Sequence, residues 1–483
     1  MTELTAGRRR LVLAICCMSL LIVGMDATIV NVALPSIRTD LNASVAGLQW
    51  TIDAYTVVLA SLLILSGSTA DRLGRRRVFQ FGLVLFTLGS LLCSVAPGLG
   101  WLIAFRMVQA AGGSMLNPVA MSIITNVFTD PRERARAIGV WGGVVGISLG
   151  LGPVVGGLLI QVIDWRAIFW VNVPIGVAAF ILAAIFIPES KALRPRRVDA
   201  IGQVLVIVLL ASVTYAIIEA PRAGFRSAEI LGFLGLAVIA LVGLLIYEPR
   251  RTDPLIELRF FRSAPFSGAT LIAVCGFGAF SGFLFLNTLY LQDVRGYSAF
   301  AAGLCTLPMA LMATIFAPIS GRVVGARGPR PSLLIAGVAM ILGALMLTGI
   351  TAATPLWWLL ASYFVFSFGF GWLNAPITNT AVSGMPREQA GVAAGIASTS
   401  RQVGATLGVA IVGAVVASGV HASMQGEFVQ ASHAAWWIVV AGGLGVLVIG
   451  ALSSSEWARG TAAKLVDEER RENALAAAGA STG

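Results

Sequence analysis

The chain has 483 residues, of which 57% are hydrophobic and only 12% charged, and its mean hydropathy is +0.87. A soluble domain of that length needs far more polar surface, so composition excludes a soluble enzyme and points into a membrane. The formal net charge of +10 then reads as a topological signal, which is more economical than a nucleic-acid footprint.

Helical spans are predicted near 11–34, 48–70, 78–96, 101–125, 137–160 and 168–187, then near 200–218 and 230–247. Six more follow near 266–290, 300–320, 332–350, 356–380, 390–418 and 435–452. Each of the fourteen meets or approaches the ~20 residues a helix needs to cross ~30 Å of hydrocarbon. Arg8-Arg9-Arg10 before the first stretch imitates a signal peptide, but that stretch is too long and lacks a small-residue cleavage site, so it is span 1. With the N-terminus inside the cell, most of the 33 Lys and Arg fall in cytoplasmic segments. An even number of spans puts both termini in the cytoplasm, in a multi-pass protein of the cell (inner or plasma) membrane.

Ionisable groups inside spans are costly and hence candidates for function. Asp26 lies in span 1, Asp53 in span 2 and Arg106 in span 4, all roughly 8–12 Å below the outer surface by helical rise. One cation cannot fully neutralise two carboxylates, so the second acid is the natural proton carrier; a static ion pair tying three helices is the alternative. After span 2, Gly67-Ser68-Thr69-Ala70-Asp71-Arg72-Leu73-Gly74-Arg75-Arg76-Arg77 combines a glycine turn, an acid placed to cap the next helix, and basic residues. That pattern suggests a latch between halves that forms in one state and breaks in the other. Span 5 carries Gly139, Gly142, Gly143, Gly146, Gly150, Gly152, Pro153, Gly156 and Gly157, giving a kinked, smooth helix suited to sliding, although tight packing alone would account for most of these glycines.

The linker at 188–202 is basic, and 248–263 reads equally as an interfacial helix or a solvated loop. Phe277, Phe280 and Phe283 recur every three residues in span 9, and Phe364, Phe368 and Trp372 every four in span 12. They are as well placed to pack or face lipid as to line a cavity. If they line one, it takes bulky, flat, apolar molecules, with Gln109, Asn117, Asn287, Asn374 and Asn379 as polar contacts. Arg401 in span 13 has no evident acidic partner, while Glu219 and Asp293 sit at outer helix ends where solvation suffices. His421 and His433 make a weak metal site at best, and the five cysteines read as packing residues.

At an offset of about 255 residues the second half echoes the first. Gly67 and Gly74 recur as Gly321 and Gly328, Leu116-Asn117-Pro118 as Leu373-Asn374-Ala375-Pro376, and Gly139, Gly152 and Gly157 as Gly395, Gly408 and Gly413. The expected organisation is a six-helix bundle over 1–190, a linker with two inserted helices over 191–262, a second six-helix bundle over 263–452 and a cytoplasmic tail over 453–483. Such a doubled, apolar chain has the build of a secondary transporter.

These motifs resemble the major facilitator superfamily, specifically its fourteen-span drug:proton antiporters of the EmrB/QacA type. They are MDATIVNVALP (25–35), QWTIDAYTVVLASLLILSG (49–67) with ADRLGRRR, RMVQAAGG (106–113), GLGPVVGG (150–157), DWRAIFWVNVPIG (164–176) and LQDVRGYSAFAAGL (291–304). The resemblance implies an all-α fold of two six-helix bundles plus two inserted helices, a cavity among spans 1, 4, 9 and 12, and a proton-coupling role for Arg106. It also implies a gating role for Gly152, Pro153, Gly156 and Gly157. Ala110 and Ser148 stand where the family motifs usually have glycine. The expected function is proton-driven export, by alternating access and without cofactor, of small hydrophobic compounds such as drugs or antibiotics. Two acids near the cavity suit cationic substrates, and Arg106 blunts that preference. A dedicated exporter of one metabolite is the nearest alternative, and an uncoupled facilitator a more distant one. An ATP-driven pump is excluded because no GK dipeptide, and hence no Walker A loop, occurs in the sequence. No cluster has catalytic spacing, so the chain is not expected to be an enzyme.

Overall fold

The computed structural model describes residues 5–192, 199–251, 254–383, 390–420 and 424–465; His421, part of the linker and the last part of the tail lie outside them. The regular structure is helical throughout the described residues. The first set is α1 (Ala6–Leu41), α2 (Val45–Leu73), α3 (Arg75–Ser94), α4 (Leu99–Val127), α5 (Pro131–Val162) and the broken pair α6 (Ala167–Trp170) and α7 (Asn172–Phe186). A hairpin of α8 (Ala200–Ala223) and α9 (Ala228–Tyr247) follows. The second set is α10 (Ala264–Leu289), α11 (Ala299–Cys305) with α12 (Leu307–Arg327), α13 (Arg330–Leu345), α14 (Leu356–Gly371) with α15 (Asn374–Val382), α16 (Ala390–Gly419) and α17 (Met424–Ser453). Past α17, residues 456–465 are again helical.

Local chemistry sets the boundaries. Ser44 caps α2 by accepting from Gly47 N, and Asp130 caps α5 by accepting from Arg132 N and Glu133 N with Pro131 at the first turn. Asn42 closes α1 in the left-handed region at φ 49°, a conformation asparagine tolerates. Among the described residues twelve helices are long and apolar enough to cross a membrane, against the fourteen spans expected. The two that fall short have physical reasons. α4 has 29 residues but carries Arg106, Gln109, Ser114 and Asn117, and α13 has only 16 residues.

The two sets pack by one scheme. In the first, α1 lies on α5 and α7, and α3 on α4 and α7; in the second, α10 lies on α16 and α17, and α13 on α14 and α17. Neighbours run antiparallel: a Cβ on Gly112 would meet the Phe86 backbone, and one on Gly343 the Phe366 backbone. Small residues permit these approaches where the hydrophobic effect cannot pull helices together.

The sets touch along two seams near the end of the molecule opposite the chain termini, the far face. In one, Gln49 Nε2 on α2 donates to the Ala410 carbonyl of α16 at 2.8 Å, and Thr406 Oγ1 lies 2.7 Å from Thr56 Oγ1. In the other, α5 runs against α11 and α12, where a Cβ on Gly157 would sit 2.6 Å from Phe300 Cα. The same helix presents Gly152 and Gly156 to α1, against Thr28 and Ile29. Between the seams, Arg38 Nη2 pairs with Asp293 Oδ1 at 2.9 Å and Gln292 Nε2 donates to the Val32 carbonyl at 2.9 Å. Toward the terminal face, Gly67, Gly139, Gly142, Gly143, Gly325 and Gly395 face open space. The two sets are therefore held together at the far face.

A cysteine pair tests that closure. With the five native cysteines replaced, Gln49→Cys with Gly413→Cys is expected to cross-link under mild oxidation, because the Gln49 side chain lies within 3 Å of a Gly413 Cβ position. Transport should stop on oxidation and return on reduction. Failure to cross-link, read on a gel after cleavage between the two sets, would contradict the seam.

Candidate functional site

Arg106 leaves α4 and is buried among α1, α2 and α3, with 1% exposure. Its Nη1 donates to Asp26 Oδ2 at 2.5 Å and to Gln109 Oε1 at 2.7 Å, and its Nε to the Thr51 carbonyl at 3.3 Å. The guanidinium carbon lies 4.1 Å from the Tyr55 ring centroid, a cation–π contact. The other oxygen of Asp26 accepts from Gln109 Nε2 at 2.8 Å and Asn172 Nδ2 at 3.1 Å. Ser90 Oγ accepts from both amides and donates to the Phe169 carbonyl. Asp26 thus has a full counter-charge and two further donors at 0% exposure, and this network ties four helices together.

Gln109, expected in the cavity, belongs to this network and is 0% exposed. Asn172 and Ser90 were not anticipated from the sequence. Their signal was weak, a lone Asn near the start of span 6 and a serine among many.

Asp53 stands apart from that network. It is also 0% exposed, yet among the described residues neither carboxylate oxygen has a hydrogen-bond partner and no ion pair includes it. Gln49, Asp53 and Thr56 share one face of α2, and the residues on either side of Asp53 both reach α16. The nearest hydroxyl, Thr56 Oγ1, donates to the backbone carbonyls of Ile52 and Asp53. An ionised carboxylate so placed, without a counter-charge among the described residues, is costly.

The aromatic residues sort differently from the expected faces. Phe280 stacks on Phe370 at 4.0 Å and Phe277 meets the same ring edge-on at 5.2 Å. Phe283 stacks on Phe366 at 4.2 Å and meets Trp436 of α17. Phe366 and Phe370 also recur every four residues, one face round from the chosen set. Phe368 and Trp372 instead pack on Phe316 of α12, and Phe364 is 48% exposed. Asn287 is buried and donates to the Phe283 carbonyl, Asn117 and Asn374 are partly exposed, and Asn379 is exposed.

The loop after α2 departs from expectation. Asp71 does not cap the next helix, because α2 continues through Leu73 and ends only at Gly74, whose φ of +116° suits glycine. Asp71 Oδ1 instead accepts from Arg75 Nη2 at 3.0 Å, while Arg72 is exposed. The loop is bound within its own set: Arg75 N donates to the Ser190 carbonyl and Arg76 N to Glu189 Oε1. Asp293 and Glu219 are more than solvated helix ends, since Asp293 pairs with Arg38 and Glu219 accepts from Trp50 Nε1 at 3.0 Å. Ser148, a departure from the family motif, is accommodated by Gly24 opposite, where a Cβ would lie 2.2 Å from its Oγ. Among the described residues no group of three His, Cys, Asp or Glu could hold a metal ion.

Two similarly packed six-helix sets that meet at one face, with a buried charge network and a separate unpartnered acid, define a multi-pass membrane transporter. The chain belongs to the Major Facilitator Superfamily, whose profile matches residues 16–409. It is 36% identical over 407 residues to the tetracenomycin C resistance and export protein of Streptomyces glaucescens, covering 82% of this chain and 74% of that one. It is 34% identical over 408 residues to the multidrug resistance protein Stp of Mycobacterium tuberculosis, covering 84% and 76%. With the puromycin resistance protein pur8 of Streptomyces alboniger the identity is 33% over 443 residues, covering 89% and 88%. It is an efflux transporter of that superfamily and not an enzyme.

The Asp26 network gives a stability test. Asp26→Ala leaves Arg106 buried without a counter-charge and should cost about 3–5 kcal/mol, whereas Asp26→Asn, which keeps an acceptor, should cost less. Thermal unfolding in detergent micelles reads the difference. Equal stability of Asp26→Ala and the unaltered chain would contradict the network's role.

Proposed function

We propose that this chain is a fourteen-span, proton-coupled antiporter that exports hydrophobic drug-like compounds, with the terminal face in the cytoplasm and the far face outside. Asp53 is the proton carrier, and Asp26 with Arg106 is the fixed framework beside it. The observation that carries the proposal is the unpartnered, fully buried Asp53 on the α2 face that meets α16. The basic residues support the orientation, being concentrated in segments at the terminal face.

When the far seam is open, Asp53 meets external water and takes a proton. Neutral, it can be buried, so the seam closes and the space between the bundles opens to the cytoplasm. Substrate entering there favours loss of the proton to the cytoplasm. The resulting carboxylate cannot remain dry without a partner, and the seam parts again, releasing substrate outside. One direction of proton movement thus drives the opposite movement of substrate. The relatives' names cover both a multidrug protein and proteins for single antibiotics.

Reconstituted vesicles with an imposed pH gradient and a panel of dyes test the assignment. Asp53→Asn should insert and bind dye while its gradient-driven efflux falls to the uncoupled leak. Normal pumping by Asp53→Asn would remove the proton carrier from this position, and wild-type flux independent of the gradient would remove coupling altogether.

A further inference from the structure

Arg401 is an intramembrane cation that proton coupling leaves unused. Its Nη2 donates to Thr378 Oγ1 at 2.6 Å and its Nη1 to Ser398 Oγ at 3.2 Å, while Nε is buried without a partner. Among the described residues no carboxylate pairs with it, in contrast to Arg106. The guanidinium carbon lies 5.9 Å from the Phe277 ring centroid. This cluster stands where α10, α15 and α16 meet, and it is not sealed: Arg401, Phe277 and Ser398 are partly exposed and Thr378 is exposed.

A guanidinium keeps its charge at any physiological pH, and hydroxyls orient it without neutralising it. A lone charge within a span is expensive and marks a pathway for something of opposite sign. The molecule's other intramembrane charges cannot reverse that preference: Asp26 is fully engaged by three donors and Asp53 is buried in the far seam.

We propose that Arg401, with Thr378, Ser398 and the ring of Phe277, recognises an acidic group, a carboxylate or phenolate, carried by a flat apolar substrate. The planar fork of Arg401 matches two oxygens, and Phe277 offers a face for the adjoining ring. This rests on the transport role proposed above and narrows its cargo to organic acids, against the cationic compounds that two intramembrane carboxylates suggest on sequence alone.

The full chain in neutral detergent micelles is titrated with pyrene-1-butyrate and with its methyl ester, followed by probe fluorescence in a zwitterionic buffer without added salt. The expected result is about tenfold tighter binding of the acid than of the ester by the wild type. Arg401→Gln should lower acid binding to the ester's level and leave the ester unchanged, with Arg401→Lys retaining part of the preference. Should Arg401→Gln fail to insert, Thr378→Val, which removes the orienting hydroxyl, supplies the comparison and should reduce the preference. Equal binding of acid and ester by the wild type overturns the proposal, as does a preference that survives Arg401→Gln. Loss of acid binding when a low concentration of chloride is added identifies an inorganic anion site and overturns it too. Gradient-driven dye efflux by the same protein, reconstituted into vesicles, separates the two claims. An active pump without acid preference refutes this site alone, and an inactive pump with acid preference refutes the transport role alone.

Discussion

Hydrocarbon does not tolerate a lone charge, and this molecule meets that constraint in two opposite ways within one bundle. Asp26 is surrounded by Arg106, Gln109 and Asn172. Asp53, on the neighbouring helix, is equally buried and has no counter-charge among the described residues. Asp53 shares a helical face with Gln49 and Thr56, which join α2 to α16, and on the proposed mechanism its charge and the closure of the far seam are two aspects of one equilibrium.

The rest of the fold makes that equilibrium mechanically useful. α5 carries glycine on two faces, so α1 and the α11–α12 pair both approach it closely, and small shifts along it meet no protruding side chains. The inserted α8–α9 hairpin is fastened to the first bundle: Gln203 Nε2 donates to the Ser61 carbonyl at 2.6 Å and Glu219 accepts from Trp50. α8 also lies against α16. The hairpin therefore flanks the α2–α16 seam while hydrogen-bonded to its α2 side.

Much of this was legible in the sequence, because the signals were physical necessities. Long apolar runs, charges inside them and a repeated glycine pattern have few interpretations in a membrane protein, and Asp26, Asp53 and Arg106 were found that way. What sequence could not settle was which acid Arg106 would take. That depended on Gln109 and Asn172 converging from two helices, with Ser90 of α3 joining them. The aromatic cluster was half found: periodicity placed phenylalanines on faces, but only packing selects Phe366 and Phe370 over Phe364. Asp71 was misplaced as a cap because nothing in the sequence marks whether a helix stops before or after an acidic residue once a glycine follows three positions later. Asp293 looked like an ordinary helix end because its partner, Arg38, lies in the other half of the chain.

The most direct test of the account is the distance across the far seam as a function of pH. Spin labels at the far ends of α2 and α16, measured by electron-electron resonance on the full chain, report it. If the charge on Asp53 parts the bundles, the short distance should dominate at low pH and a longer one should grow in as pH rises, while Asp53→Asn stays short throughout. A seam whose width ignores pH, or a variant that opens as the wild type does, would contradict the claim that this carboxyl group controls the seam.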